Sequence, residues 1–229
     1  MCPRRRATSG AASTVRRSPW QKEAATRLSK SDPTLARIIA ANPDFDPRAW
    51  LEELPPLDAF GSLLFQVIGQ QLSVSASRRI LDRIRETFGG HVPAPQEVLT
   101  ASPERLHRAG LSRRKVETIR AVAAQFRDGM LSDAVFQQLS DAEIEARLTT
   151  IPGIGPWTVQ GFLIIALNRP DVVLPGDLAL RKIIRQVYAF DDLPTPAEVI
   201  ELAEKWRPHR SLATAYLFRS AFGAGDERA

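Results

Sequence analysis

Cysteine and histidine are scarce in this chain. Cys2 is the only cysteine among 229 residues, so one chain cannot form an internal disulfide, a four-cysteine zinc site or an iron–sulfur cluster. The three histidines, His91, His107 and His209, are not spaced for joint metal binding on one helix. The sequence therefore argues against a transition metal held by protein ligands.

Long apolar runs are also missing. The longest candidate, Phe162 to Leu167, has the length of a buried helix segment and not of a membrane span. The first residues, Met1 to Arg6, lack the apolar stretch of a secretory signal. We therefore expect a cytoplasmic protein without membrane contact, associated with the nucleoid if the source is bacterial.

The charge balance is moderately basic. Lysine and arginine number 31 against 26 acidic residues, which gives a net charge of +5 and a sequence pI near 9.9. Arginine outnumbers lysine, and its planar fork binds phosphate through paired hydrogen bonds. Part of the excess positive charge comes from arginines near the amino terminus. Basic tails of this kind are common in proteins where they have no function. On charge alone, a protein that binds nucleic acid and one that does not are equally expected.

Helix signals dominate the rest of the sequence. Asp32, Ser73 and Ser112 are placed as N-caps before helical apolar periods, and two capping boxes begin at Ser140 and Thr195. No run alternates between apolar and polar residues as a half-buried strand would. The sequence therefore predicts an all-α fold of about ten helices joined by short loops.

The two ends of the chain differ from the middle. Residues 1–30 are rich in serine, threonine, alanine and arginine without a sustained apolar period, which predicts a disordered basic tail. Residues 225–229 are polar, and we expect a frayed tail there. Neither a repeat nor a low-complexity block interrupts residues 31–224, so we expect this range to form the folded part.

One glycine-rich segment lies between two helical patterns. It reads Ile-Pro-Gly-Ile-Gly-Pro-Trp-Thr from Ile151 to Thr158. Gly153 and Gly155 permit positive φ and close backbone approach, and the amides that open the next helix then point outward, as they do at phosphate-binding sites. A glycine turn that only joins two packed helices has the same local sequence, and for this segment alone that simpler interpretation is favoured.

A single aspartate follows a Pro-Gly pair farther along the chain. The segment reads Val172-Val-Leu-Pro-Gly-Asp177 and precedes a helical pattern with Leu180, Ile183 and Ile184. Aspartate is a preferred N-cap, so capping is the simpler interpretation of Asp177. A capping carboxylate is also held rigidly at the start of a helix, so a catalytic role is compatible with it.

Four separated motifs together resemble the helix-hairpin-helix (HhH-GPD) DNA glycosylase superfamily, and within it the 3-methyladenine DNA glycosylase II (AlkA-like) branch. Two of them are the glycine-rich segment Ile151–Thr158 and Leu174-Pro-Gly-Asp177. Gly69-Gln-Gln-Leu-Ser73 and Trp206-Arg-Pro-His-Arg-Ser211 supply the other two. The motifs occur in the family's order and spacing over residues 31–224.

This resemblance implies two helical subdomains that flank a DNA-binding cleft, with a helix-hairpin-helix motif. The middle subdomain would span about 57–165, and the second would combine 31–54 with 166–224. The family also implies a Na⁺ or K⁺ ion at the hairpin, held by the backbone carbonyls of Ile151 and Ile154. No other cofactor is implied.

The resemblance also implies how duplex DNA would be held. Backbone contacts would come from the amides of Gly153, Gly155 and Trp157, with Thr158 as a hydroxyl donor. The family's wedge position, which fills the gap left by an everted base, corresponds to Gln71.

Leu72 could serve as the wedge instead, and a glutamine that only terminates a helix is an equal alternative for Gln71. Arg113, Arg114 and Lys115 form a basic cluster, which is more typical of a solvated helix face than of a site.

The implied activity is hydrolysis of the N-glycosidic bond of alkylated purines, of the 3-methyladenine and 7-methylguanine type. An alkylated purine is cationic and leaves readily, and Asp177 would stabilise the positive charge that develops on the deoxyribose. Relatives with lyase activity carry a lysine where this chain has Trp157. Tryptophan cannot form a Schiff base, so we expect hydrolysis without strand cleavage, by a monomer.

The expected base pocket comprises Trp157, Gly161, Leu178 and His209. The face of Trp157 would attract a cationic base, although a core tryptophan under the hairpin is an alternative. Some relatives carry tyrosine at the positions of Gly161 and Leu178 and tryptophan at that of His209. The pocket is therefore less aromatic than theirs, and the preferred base stays open.

Other functions remain possible at this point. A glycosylase for other damaged bases is one. A non-catalytic helix-hairpin-helix DNA-binding module is another, but such a module would have no use for Asp177 in its Gly-Asp context. A transcription regulator ranks last, because the sequence contains neither a separate recognition helix nor a dimerisation heptad.

Overall fold

The computed structural model describes residues 18–222, apart from the side chains of Trp50 and Phe222. Over this range the chain forms thirteen α-helices, two 3-10 helices and no strand, which confirms the all-α prediction. The helices are α1 (Pro19–Ser31), α2 (Pro33–Ala41), α3 (Ala59–Gly69), α4 (Val74–Thr87), α5 (Pro95–Thr100), α6 (Pro103–Arg108), α7 (Arg113–Arg127), α8 (Asp133–Gln138), α9 (Asp141–Leu148), α10 (Pro156–Ile165), α11 (Leu178–Val187), α12 (Pro196–Ala203) and α13 (Arg210–Phe222). The 3-10 helices are Ala49–Glu53 and Glu204–Trp206. No helix in the described range is long and apolar enough to cross a membrane.

The helix starts follow the capping residues of the sequence. Ser73 and Ser112 accept hydrogen bonds from the first turns of α4 and α7. The capping boxes that begin at Ser140 and Thr195 are both complete, because a glutamate three residues on accepts a hydrogen bond from the amide of the cap residue. The predicted caps are thus confirmed, since capping depends only on residues within one helical turn.

Asp32 does more than cap α2. Its Oδ1 accepts from the backbone amide of Thr34 at 2.9 Å, while Oδ2 accepts from Trp206 Nε1 at 2.8 Å and from Tyr188 Oη at 2.6 Å. Lys205 Nζ lies 3.1 Å from the same oxygen. The buried carboxylate therefore joins the start of α2 to the carboxyl-terminal helices.

The predicted disorder of residues 1–30 is wrong for the part that the structure describes. Residues 19–31 form α1, which begins with a capping box between Ser18 and Gln21 and has proline at its first position. Its inner face consists of Ala24, Ala25 and Leu28, which are buried. Small alanines give a weak periodic signal, and the surface that covers them comes from the next helix, α2, together with α13 and the Glu204–Trp206 helix, which are distant in sequence. Residues 1–17 and 225–229 lie outside the described residues.

Two hydrophobic cores organise the described part of the chain. The first is built by helices α3–α10, with Phe60, Phe136 and Phe162 fully buried, and it extends to Val172. The second begins at Ala24 and joins α1 and α2 to α11–α13. Ile164 of α10 packs against both cores, and Trp157, two turns earlier, packs against the second. Helix α10 therefore lies along the seam where the two cores meet.

Candidate DNA-binding and catalytic site

Two protein donors fix the carboxylate of Asp177. Oδ1 accepts from the backbone amide of Leu180 at 2.8 Å and thereby caps α11. Oδ2 accepts from Trp157 Nε1 at 2.7 Å. Each carboxylate oxygen keeps a further lone pair after these bonds, so the group can still face a positive charge or a water molecule. The Asp177 side chain can therefore cap α11 and act in catalysis at the same time.

Trp157 belongs both to the packing and to the site. Its ring is partly buried against the second core, as expected of a tryptophan beneath a hairpin. Its indole N–H points at the Asp177 carboxylate, as expected of a site residue. The structure thus brings together a predicted pocket residue and the predicted catalytic residue, which lie 20 positions apart in sequence.

The glycine-rich segment forms a tight turn between α9 and α10. The backbone amide of Ile154 donates to the carbonyl of Ile151 at 3.0 Å, and both isoleucine side chains are buried in the first core. Gly155 is the N-cap of α10 and makes no side-chain capping bond. Nothing lies within 4 Å of a Cβ placed on Gly155. The first turn of α10 therefore has no side-chain acceptor for its amides, and the space beside Gly155 is free, as a phosphate site requires.

Gly153 is pinned against α7. Its φ is +90°, and a Cβ placed there would lie 2.1 Å from Thr118 Oγ1. The Thr118 hydroxyl donates to the carbonyl of Pro152 at 3.0 Å. Glycine is required here for two independent reasons, the left-handed backbone and the close approach of α7.

The predicted DNA contact through the Thr158 hydroxyl is wrong. Thr158 is only 2% exposed, and its Oγ1 accepts from Gln70 Nε2 at 2.9 Å. The side chain points into the protein because the third position of α10 faces α3. Contact between this position and DNA could therefore involve only its backbone.

Gln70 is a connecting residue that the sequence analysis missed. Its Nε2 donates both to the carbonyl of Gly153 and to Thr158 Oγ1, each at 2.9 Å. The next residue, Gln71, is exposed and has a φ of +61°, and Leu72 beside it is also exposed. The two candidate wedge residues therefore stand on a turn that one carboxamide ties to the hairpin. No local signal could reveal bonds between residues 83 and 88 positions apart.

Lys115 supports the same turn from α7. Its Nζ donates to the carbonyls of Ile68 and Gln70 at 2.8 and 2.9 Å, and burial lowers the pKa of this ammonium group. Arg113 and Arg114 are exposed, as expected of a solvated face. For Lys115 that interpretation is wrong, because its ammonium satisfies carbonyls at the end of α3.

We expect replacement of Gln70 by leucine to weaken DNA binding by about tenfold or more. The variant leaves the Gly153 carbonyl and the Thr158 hydroxyl without their donor, which should lower the free energy of unfolding by about 1–3 kcal/mol. Fluorescence anisotropy with a duplex that contains an abasic site measures the first effect, and urea denaturation measures the second. Unchanged DNA affinity would show that the turn and the hairpin act independently.

The remaining predicted pocket residues differ in their exposure to solvent. Leu178 follows Asp177 directly and is 52% exposed. Gly161 is buried, and its missing side chain is replaced by the carboxamide of Gln66 from α3. Among the described residues, no hydrogen bond joins the His209 ring to Asp177 or Trp157.

The charged groups that act on His209 include Arg27, Asp171 and Glu23. Both ring nitrogens are enclosed and have no hydrogen-bond partner among the described residues. Burial, followed by the nearby charge of Arg27, lowers the pKa of His209. His209 thus has charged groups of α1 in its surroundings, and its place in the pocket stays a prediction.

The hairpin carbonyls differ in what they can still bind. Those of Pro152 and Gly153 accept from Thr118 and Gln70, respectively. The carbonyl of Ile151 accepts one bond and keeps a lone pair, while that of Ile154 receives no hydrogen bond from the described residues. The two carbonyls that the sequence assigned to a monovalent cation are thus the least occupied ones.

Comparison with known proteins places this geometry among DNA repair proteins. The family described as HhH-GPD superfamily base excision DNA repair protein matches residues 65–209. The chain is 30% identical over 201 residues to DNA-3-methyladenine glycosylase 1 of Schizosaccharomyces pombe, with 87% of each protein covered. It is 27% identical to DNA-3-methyladenine glycosylase 2 of Escherichia coli over 84% of this chain and 66% of that protein.

A solved structure has a similar fold. The S. pombe 3-methyladenine DNA glycosylase in complex with abasic DNA superposes with a TM-score of 0.78 at 29% identity. The match covers 88% of this chain and 98% of that one.

Proposed function

The chain belongs to the HhH-GPD superfamily of base excision DNA repair proteins, and from this premise we propose that it is a monofunctional glycosylase for alkylated purines in duplex DNA. The bond cleaved is the N-glycosidic bond of bases of the 3-methyladenine and 7-methylguanine type. The observation that carries the proposal is the Asp177 carboxylate, anchored by Trp157 Nε1 and the Leu180 amide at the seam between two cores.

The chemistry needs little besides this carboxylate. A base stacked in a duplex is out of reach, so it must be everted into a cleft. A ring-alkylated purine carries a positive charge and leaves without a strong general acid. As it departs, the positive charge moves to the deoxyribose, where Asp177 stabilises it electrostatically and orients the attacking water. Two fixed hydrogen bonds remove the need to reorganise the carboxylate during the reaction.

DNA binding uses backbone groups. The amides of Gly153, Gly155 and Trp157 hold phosphate oxygens at the start of α10 and position the strand without reading its sequence. Gln71, with Leu72 beside it, enters the gap left by the everted base. A Na⁺ or K⁺ ion on the carbonyls of Ile151 and Ile154 would stabilise the hairpin. One chain contains all of these groups, so a monomer suffices.

The absence of lyase activity is part of the proposal. A lyase needs an amine that attacks the sugar, and Trp157 stands beside the carboxylate instead. Lys115 contacts the wedge turn, but its Nζ donates hydrogen bonds to two backbone carbonyls there. No Schiff-base intermediate is therefore expected.

Base release from a methylated duplex tests the proposal. We expect free 3-methyladenine and 7-methylguanine to appear, with the strand intact until alkali cleaves the abasic sites, because hydrolysis leaves the sugar–phosphate backbone unbroken. Borohydride added during the reaction should trap no protein–DNA adduct. An unmodified duplex is the control. A trapped adduct would overturn the monofunctional assignment, and a lack of any released base would overturn the glycosylase assignment.

A further inference from the structure

Gln66 occupies the space beside Gly161 that a side chain would need. A Cβ placed on Gly161 would lie 2.5 Å from Gln66 Oε1 and 3.2 Å from its Cδ. Gln66 is on α3, one turn before Gln70, so both glutamines face α10. The wall of α10 at this position is therefore a carboxamide that another helix contributes.

The carboxamide of Gln66 is buried without a hydrogen-bond partner. The residue is 6% exposed, and none of the hydrogen bonds between described residues involves its side chain. The nitrogen and oxygen of this carboxamide are not completely enclosed, so part of the small exposed surface of Gln66 belongs to the carboxamide itself. An unpaired buried amide is destabilising, whereas Gln70 uses its own amide in two bonds. The group is therefore poised for a partner from outside the protein.

The position of the carboxamide indicates which partner. Gly161 and Trp157 are four residues apart and share one side of α10. Trp157 is also the residue that holds Asp177. The free carboxamide thus lies one helical turn from the carboxylate's anchor, on the same side of the helix and along the same seam. A base whose sugar faces Asp177 would enter this region.

On the basis of the proposed function, we propose that Gln66 is a specificity-determining residue that favours adenine-derived bases. A carboxamide offers a donor and an acceptor side by side, which match N6–H and N7 of adenine. Guanine methylated at N7 presents only the O6 acceptor on that edge. Gln66 therefore makes two hydrogen bonds to 3-methyladenine and one to 7-methylguanine.

A methylated duplex that contains both lesions tests this, since both bases are released in one tube. We expect Gln66→Met to lower the kcat/KM for 3-methyladenine by about 5- to 150-fold, which is the usual effect of losing a bidentate contact to a base. The kcat/KM for 7-methylguanine should fall by less, because only one hydrogen bond is lost. The ratio of the two released bases should fall accordingly. Thermal stability should stay the same or rise, because the variant removes an unpaired buried amide.

Gln21→Met is the matched control. Gln21 is also 6% exposed, but its side chain is paired with Ser18 and Asp46 in the other core. This variant should lose stability and keep the product ratio. Gly161→Ala should shift the ratio in the same direction as Gln66→Met, because the new methyl group displaces the carboxamide.

The outcomes separate the two proposals. An equal loss of both bases, or an unchanged ratio, would overturn the role of Gln66 and leave the glycosylase assignment intact. A wild-type protein that releases neither base would overturn the proposed function itself.

Discussion

Replacement of Asp177 by asparagine is expected to slow base release from methylated duplex DNA by about 100- to 1000-fold, the usual loss for a preorganised electrostatic group. Asparagine has nearly the same shape but no charge to stabilise the sugar. Single-turnover release of 3-methyladenine measures the effect. Binding to a duplex with an abasic site should stay within a few-fold of wild type, because the hairpin amides are unchanged.

The same substitution should also lower stability. Asp177 accepts from two donors, Leu180 N and Trp157 Nε1, through different oxygens. Asparagine has one oxygen, so one of the two donors would face an NH₂ group and lose its acceptor. We expect a decrease of about 1–3 kcal/mol in the free energy of unfolding, measured with urea.

Asp32→Asn is a matched control for the charge at Asp177. Asp32 also caps a helix and also accepts from a tryptophan indole, that of Trp206, but it lies in the second core away from the hairpin. Its variant should lose stability and keep the rate of the folded protein. If Asp177→Asn retained excision within about tenfold of wild type, the carboxylate would not be the catalytic group, and the molecule would be a DNA-binding module or use another residue.

Gly153→Ala is expected to abolish tight DNA binding and to destabilise the protein strongly. The left-handed backbone costs a non-glycine residue about 1–2 kcal/mol, and overpacking against Thr118 adds about 1–3 kcal/mol. The free energy of unfolding should therefore fall by about 2–5 kcal/mol. Because the hairpin must shift to relieve the contact, the affinity for a duplex with an abasic site should fall by more than about tenfold. Denaturation and anisotropy measure the two effects.

Alanine variants of two other glycines distinguish the effect of backbone strain from the effect of the contact with Thr118. Gly129 also has positive φ, but nothing lies within 4 Å of a Cβ there, so Gly129→Ala should show backbone strain alone and normal DNA binding. Gly155 has negative φ and open space, so Gly155→Ala should keep stability and weaken only DNA binding. If Gly153→Ala were no more harmful than Gly129→Ala, the contact with Thr118 would not pin the hairpin.

Much of the fold was predictable because helix boundaries depend on nearby residues. Ser73, Ser112 and the Ser140 box were recognised as caps since a cap and its partner lie within one turn. Helix α1 was missed although it has a capping box, because its buried face is mainly alanine and its partners lie in α2 and α13. A weak apolar period cannot show which distant surface covers it.

The site was predictable in its elements and not in its connections. The hairpin glycines and Asp177 carry recognisable motifs, and the structure brings Trp157 to Asp177. Thr158, which the resemblance assigns to DNA, is instead buried and bonded to Gln70, while the place of His209 in the pocket stays a prediction. A residue's number in a motif does not determine the direction in which its side chain points.

The sequence by itself determined where most helices begin, that Gly153 can adopt a left-handed backbone and which carboxylate caps α11. Each of these depends on steric and hydrogen-bonding preferences within a few residues. Only the tertiary structure decided that Gln70 bonds the wedge turn to the hairpin and that Lys115 donates to the carbonyls at the end of α3. It also decided that Gln66 fills the space beside Gly161. Such contacts depend on how helices pack, and packing depends on the whole apolar surface and not on any local pattern.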